Sequence, residues 1–320
     1  MSLNKYPDYR PMNQVARNLE EVNSKILFIT LSNIGDAILT TPTLEALHAQ
    51  FPDSTIDIIG DTRSKIIFQH CPYLGIFYEK DKKLGLAGIY SLLMNIRKTH
   101  YELAVDLRSD GLLYFIKAKK KLFKHSNQST LNLHSAERHF LAIKKVTNAP
   151  IPNPKIWISE KERLFSKKVL GKQKNILALG LGANFDGKIW PVSNFVDLAD
   201  SLSGFFDAVL LLGSHQDAKK SSIFMKLYSG KVIDCAGQTN LLETAALLGK
   251  SKFFVGNDSG LGHMASAVGI PSFTIFGVGE PNRYRPLGKE ALWYQDPGFN
   301  ISTIKGAHIA AKIIQWIKLQ

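Results

Sequence analysis

The sequence predicts an α/β chain made of two doubly wound halves that face each other across a cleft. Three observations lead there. Short, continuously apolar runs recur along the chain, each followed by a glycine- or serine-bearing turn and then a stretch with helical spacing. That plan occurs twice. Between its two occurrences lies a proline cluster, Asn148-Ala149-Pro150-Ile151-Pro152-Asn153-Pro154, which reads as a domain boundary. The 320 residues exceed the usual size of one hydrophobic core. The expected division is therefore 1–154, 155–302, and a closing helix over 303–320 that packs back toward the first half.

In the first half, Lys25–Leu31 is a β-branched apolar run of the kind buried in parallel sheets. The turn Ser32-Asn33-Ile34-Gly35-Asp36 follows, and then a helix carrying Ile38, Leu39, Leu44 and Leu47. Ser32 and Asn33 suit a helix cap, and Asp36 suits the positive end of the dipole. An aspartate held at the carboxyl end of a strand also suits a general base facing a cleft. Further strands are expected over Thr55–Ile59, Leu74–Tyr78 and Leu103–Leu107, with helices beginning near Ile66, over Leu84–Thr99, and from Arg138. Arg108 stands at the exit of the Leu103–Leu107 strand.

The second half opens with a strand over Asn175–Gly180. Gly180-x-Gly182 begins a dinucleotide fingerprint, but Phe185 occupies the place of its third glycine, so no such cofactor is expected. Lys188-Ile189-Trp190-Pro191 precedes a helix over Val192–Ser203, and strands follow at Ala208–Gly213 and Val232–Cys235. A helix over Leu241–Leu248 leads into the stretch Lys252–Pro271, where a strand, a tight turn and an alanine-rich helix succeed one another. The first N–H groups of such a helix lack intrahelical partners and favour an anion. Asp258, Ser259, Gly260 and His263 gather there. The same residues serve equally as an ordinary αβ turn, with Asp258 as the cap. Ser272–Phe276 is the last strand of this reading.

Composition limits the rest. With 45% hydrophobic and 21% charged residues the chain reads as a folded globular protein. Met1–Gln14 is polar and carries no apolar leader, and no apolar run reaches membrane-spanning length. Cys71 and Cys235 alone suggest neither a disulfide framework nor a zinc site, and no metal is expected. The net charge of +13 attracts polyanions. Basic residues are spread evenly, with no recognition helix or aromatic platform, so nucleic acid is not an expected partner. One block stands out: from Gly111 to Ala136 there is no acidic residue, while Lys117, Lys119, Lys120, Lys121 and Lys124 cluster among apolar neighbours. It reads as a solvated face or as a contact with an anionic membrane or phosphorylated lipid.

Three motifs together resemble one family. Leu31–Pro42 (L-S-N-I-G-D-A-I-L-T-T-P) is similar to the S-x-x-G-D signature, with its T-x-P, of the ADP-heptose:lipopolysaccharide heptosyltransferases. Lys188-Ile189-Trp190-Pro191 resembles their K-x-W-P, and Asp258–His263 their D-[TS]-G-x-x-H. The order and separation agree from about Lys25 onward. The resemblance implies a GT-B fold of two Rossmann-like domains, with residues 1–154 taking the acceptor and 155–302 the nucleotide sugar. It implies an inverting, metal-independent transfer in which Asp36 is the catalytic base. Lys188, Asp258, Ser259, Gly260 and His263 would hold the donor. Ser32, Gly35, Arg108, Lys117, Lys119, Lys120 and Lys121 would meet a phosphorylated lipid A or core oligosaccharide acceptor. An ADP-sugar is then a substrate and no cofactor is needed. The enzyme would be cytoplasmic, peripheral to the inner membrane of a Gram-negative cell.

Two departures bear on specificity. Arg108 follows Asp106-Leu107 where the family often has glutamine, and Asp217 follows Gly213 where it often has glutamate. A transferase of another nucleotide-linked sugar to a different surface glycan, and an inactive basic binding protein of the same fold, are the competing readings.

Overall fold

A computed structural model describes residues 24–124, 130 and 132–319. The opening stretch Met1–Gln14 lies outside the described residues, as do most of the positions following Lys124 up to Leu131. The first half carries strands β1 (Lys25–Ile29), β2 (Thr55–Gly60), β3 (Leu74–Glu79), β4 (Tyr101–Asp106) and β5 (Ala118–Phe123). They form one sheet in the order β3-β2-β1-β4-β5, every pairing parallel. The second half carries β6 (Ile176–Gly180), β7 (Ala208–Leu212), β8 (Val232–Asp234), β9 (Phe253–Asn257), β10 (Ser272–Phe276) and β11 (Ala291–Gln295). Their order is β11-β10-β9-β6-β7-β8, again parallel throughout.

Parallel pairing has a direct consequence for function. All carboxyl ends of a sheet lie on one edge, and the crevice opens where the winding reverses. In the first sheet the reversal lies between β1 and β4, and in the second between β6 and β9. The central strands are buried on both faces, as their unbroken Ile, Leu, Val and Phe content requires.

Helices α1 (Ile34–Ile38) and α2 (Thr41–Gln50) occupy the segment read as a single helix after Asp36. The break has a local cause. Pro42, in the first turn of α2, has no N–H to continue α1, and Thr40 Oγ1 turns back to donate to the Ala37 carbonyl at 2.7 Å. Helix α3 (Thr62–Phe68) begins earlier than its apolar residues suggest, because Asp61 and Ser64 form a reciprocal capping box. Helices α4 (Gly85–Ile96) and α5 (Ser135–Phe140) complete the first half. The second half adds α6 (Glu160–Leu170), α7 (Val192–Ser201), α8 (Ala218–Leu227), α9 (Leu241–Leu248), α10 (Gly260–Ala267), α11 (Pro281–Tyr284) and α12 (Gly306–Ile317).

The closing helix departs from the sequence expectation. It does not return to the N-terminal half but lies along α7, burying Ile309, Ala310 and Ile313 with Phe195, Leu198 and Leu202. Gly306 permits the approach, since a Cβ there would stand 2.3 Å from the Asn194 carbonyl oxygen. The chain crosses between the halves at 155–158, and this segment is fastened to the first half. Lys155 N donates to Thr41 Oγ1 at 2.9 Å, and Trp157 packs edge-on against Tyr73 with ring centres 5.8 Å apart. Helix α1 meets α10, α3 meets α9, and one apolar cluster runs through both halves from Phe28 to Phe254. Among the described residues no helix is long and apolar enough to cross a membrane.

If α12 belongs to the second core, truncating its buried Ile309 to alanine will cost about 2–5 kcal/mol in urea denaturation. Unchanged stability would show that the helix is an appendage.

Candidate active site

The crevice between the two switch points is built by loops from both halves. From the first half, α1 carries Asp36 in its first turn, where Asn33 Nδ2 donates to Asp36 Oδ2 at 3.0 Å. From the second, β9 ends at Asn257, and Asp258-Ser259 lead into α10. These two loops, more than two hundred positions apart in sequence, touch. A Cβ added to Gly35 would stand 2.8 Å from His263 Cδ2, and one added to Gly260 would stand 3.5 Å from Ile34 Cγ2. Ser32 lies half-buried just before this contact.

Asp258 does not cap α10. Its Oδ2 accepts from Lys188 Nζ at 2.6 Å, and the N-cap residue is Ser259, whose side chain makes no capping bond. The Ser259 hydroxyl is buried and has no protein partner. A buried donor without a partner calls for a ligand or water, and here it stands beside the free N–H groups of a helix start. Lys188 is held in place from below. Trp190 is fully buried edge-on to Phe195, with Nε1 donating to the Ile304 carbonyl at 2.8 Å, while its backbone N donates to Asn257 Oδ1 at 3.1 Å. The K-I-W-P segment is thus pinned to the end of β9, next to Asp258.

A cavity of about 430 Å³ opens over this turn, walled by Gly182, Gly213, Asp217, Thr244, Ser259 and Met264 and closed from the other half by Ile34. The two glycines have a physical reason. A Cβ on Gly182 would stand 2.0 Å from Asp217 Oδ1, and one on Gly213 would stand 2.9 Å from Asp217 Cβ. The Gly180-x-Gly182 spacing therefore makes room for a carboxylate. Asp217 accepts from Ser214 N at 2.9 Å and from its hydroxyl at 2.8 Å, and pairs with Lys220 at 3.3 Å.

Burial holds His263 in its neutral form, lowering its pKa from 6.5 to about 4 against the opposing pull of Asp258 and Asp36. His139 is likewise pushed down to about 3, by burial and by the charge of Lys124. Its Nδ1 donates to the Leu39 carbonyl at 3.2 Å, which leaves Nε2 to accept from Lys124 Nζ at 3.3 Å. Lys124 in turn is depressed by burial and by Arg138, while Asp36 opposes the shift and Arg283 adds to it. Arg138, Arg283 and Asp36 thus gather around Lys124; Arg283 pairs with Glu280 at 3.2 Å, and the Nε atoms of both arginines are buried without protein partners.

Arg138 and Arg283 are what sequence reasoning missed, while Lys124 belongs to the lysine block that the sequence picks out. The expected acceptor lysines do not converge on the crevice: β5 runs parallel to β1, so Lys117 lies at the far edge of the sheet, on the order of 20 Å from the crevice edge. Lys119 pairs with Glu102 at 2.9 Å, Lys120 lies toward Lys145, and Lys121 donates to the Tyr114 carbonyl at 3.4 Å. Lys124, where β5 ends, is the member of the block that reaches the site. Arg108 is at the crevice edge as its strand exit predicts. Its backbone N donates to Asp106 Oδ1 at 2.8 Å, and its Nε pairs with Asp110 at 3.1 Å, alongside Lys80 on the same carboxylate.

This fold and this crevice have counterparts in known proteins. Residues 111–297 match the model of glycosyltransferase family 9 (heptosyltransferase). The chain belongs to that family. It is a glycosyltransferase. It is 31% identical over 301 residues to lipopolysaccharide heptosyltransferase 2 of Salmonella typhimurium, covering 83% of this chain and 86% of the relative. It is 26% identical to lipooligosaccharide heptosyltransferase 2 of Haemophilus influenzae, covering 83% and 87%. In structure it resembles the family 9 glycosyltransferase of Veillonella parvula, with a TM-score of 0.81 at 21% identity over 92% of this chain and 98% of that one. The ADP-heptose lps heptosyltransferase II of E. coli follows with a TM-score of 0.77 at 20% identity over 91% and 98%. The GT-B fold implied by the three motifs is the one present.

His263 and His139 are neutral in the folded chain and take up protons on unfolding below about pH 6.5. Their contribution is therefore complete above that pH and falls as pH drops toward 4. Urea denaturation between pH 7 and pH 4 should show His263→Asn flattening this slope by up to about 1.4 kcal/mol per pH unit. An unaltered slope would mean that His263 titrates normally. Separately, Gly35→Ala should lower turnover roughly tenfold to hundredfold with the circular dichroism unchanged, because the added methyl displaces His263 at the crevice.

Proposed function

We propose that this enzyme transfers heptose from ADP-heptose to an inner-core acceptor of lipopolysaccharide, with inversion and without a metal ion. The observation that carries the reading is the contact of the Asp36 loop with the start of α10, beside the Lys188–Asp258 pair. The names of the relatives support the donor and the pathway: they are lipopolysaccharide and lipooligosaccharide heptosyltransferases, and one E. coli heptosyltransferase of the same fold was solved with ADP.

Asp36 takes the proton of the acceptor hydroxyl as that oxygen attacks the anomeric carbon, and the bond from that carbon to the diphosphate oxygen breaks. The departing diphosphate gathers negative charge, which Lys188, the Ser259 hydroxyl and the N–H groups of Ser259 and Gly260 receive. The apolar wall of the cavity at Met264 suits the nucleobase, and the polar end at Asp217 suits the ribose. His263, held neutral, fixes the spacing of the two loops and carries no charge into the site. Lys124 and Arg138, with Arg283 paired to Glu280, supply positive charge on the acceptor side, matched to the phosphate groups of a phosphorylated inner-core acceptor. Such an acceptor carries a lipid, so the enzyme works at the cytoplasmic face of an anionic membrane.

Replacing Asp36 by alanine should lower kcat roughly 10²–10⁴-fold, the worth of a general base, while ADP still raises the melting temperature. A nucleotide-sugar thermal-shift screen checks the donor, since a ligand at a hundred times its Kd adds roughly 3 kcal/mol. Stabilisation by UDP- or GDP-sugars but not by ADP-heptose would replace the donor in this reading.

A further inference from the structure

Helix α4 (Gly85–Ile96) has no charged side chain. Ser91 and Asn95 are its polar side chains, and a helix this apolar is normally buried over most of its surface, yet only Leu92 and Ile96 are buried here. Leu86, Tyr90 and Met94, one helical turn apart in succession, are 85%, 67% and 48% exposed. The turn 112–115 belongs to the same layer. Its Leu112 and Leu113 pack with Leu92 and Ile96 on one face of the first sheet, which leaves Tyr114 and Phe115 outward at 71% and 64% exposed. Together they make an apolar surface of aliphatic and aromatic side chains that nothing in the described chain covers.

The surroundings of this surface are basic. Residues 81–100 and 111–124 hold nine Lys and Arg against one acid, Asp81. Lys83 lies exposed before α4, Arg97 and Lys98 lie exposed after it, and Lys121 is bonded to the Tyr114 carbonyl. A second copy of this chain placed on the surface would oppose cation to cation. An anionic bilayer would meet the apolar stripe with its acyl boundary and the lysines with its headgroups.

We propose that the outward face of α4 and the turn 112–115 dock the enzyme on an anionic lipid bilayer. The proposal rests on a lipid-borne acceptor, and it moves the expected membrane contact from the β5 lysines alone to an apolar helix with a basic surround. Orientation agrees. Strands β1 and β3 are parallel to the rest of their sheet, so the start of α4, just beyond the end of β3, lies at the sheet edge where Asp36 stands. Docking through this face brings the Leu86 end of α4, at the crevice edge, to the headgroups, while Met94 and Phe115 lie toward the opposite edge of the sheet.

The test is co-sedimentation of the full chain with phosphatidylcholine vesicles containing or lacking phosphatidylglycerol, at low and high salt. The wild type should bind the anionic vesicles, and more weakly as salt rises. The combined variant Leu86→Glu, Tyr90→Glu, Met94→Glu should bind roughly tenfold or more weakly, and Lys83→Glu with Lys98→Glu should lose the salt dependence. A wild type that ignores anionic vesicles, or a glutamate variant that binds as the wild type does, overturns the proposal. So does a wild-type dimer that the glutamate variant abolishes while vesicle binding persists. Transfer to a delipidated core acceptor should be equal in wild type and variant, and shows that the variant is folded. Absence of transfer in both would remove the functional reading and leave the vesicle result to be judged by itself.

Discussion

The close approach of Gly35 to His263 is the constraint on which the rest of the crevice depends. Each sheet presents its switch point along one edge, and the two edges must face each other for either to matter. A side chain on residue 35 would hold them apart, and a charged imidazole at 263 would demand solvation that the contact excludes. Glycine on one side and a buried neutral ring on the other let the start of α1 meet the start of α10. Asp36 and the Lys188–Asp258 pair are thereby brought to the same place without belonging to the same domain.

Much of this was legible in the amino-acid sequence because buried parallel strands are apolar throughout. Strands β1, β4, β6, β7, β9 and β10 all announce themselves in that way. The edges do not. Strand β5 (A-K-K-K-L-F) has one face and one edge in water, so its lysines hide a strand behind the pattern of a basic loop. Strand β11 is half-exposed for the same reason. The amphipathic pattern of α12 shows that one face is buried but not against what. Only the steric opening at Gly306 explains why α7 is its partner.

The site residues divide along the same line. Asp36, Lys188 and Asp258 sit at exits of strands that could be recognised, so their convergence follows from topology. Lys124, Arg138 and Arg283 come from the end of an edge strand and from two short helices, and nothing in their spacing ties them together. Arg138 and Arg283 become conspicuous only when their unpartnered Nε atoms are found buried near Lys124. The lysine block misleads by its density. A parallel strand carries most of it away from the crevice and delivers its last member.

The placement of α12 alters how the two halves are joined. Because it stays on α7, the described chain passes between the halves only once, at 155–158, and Lys155 and Trp157 tie that passage to α2 and Tyr73. The next element, α6, is packed on α9. Ile158 packs against the shared apolar cluster and Ser159 is held in a capping box with Glu162, which also pairs with His70 of the first half at 3.6 Å, so the passage is fastened along its length. The two halves are therefore held as much by the contacts of α1 with α10 and of α3 with α9 as by the chain that joins them.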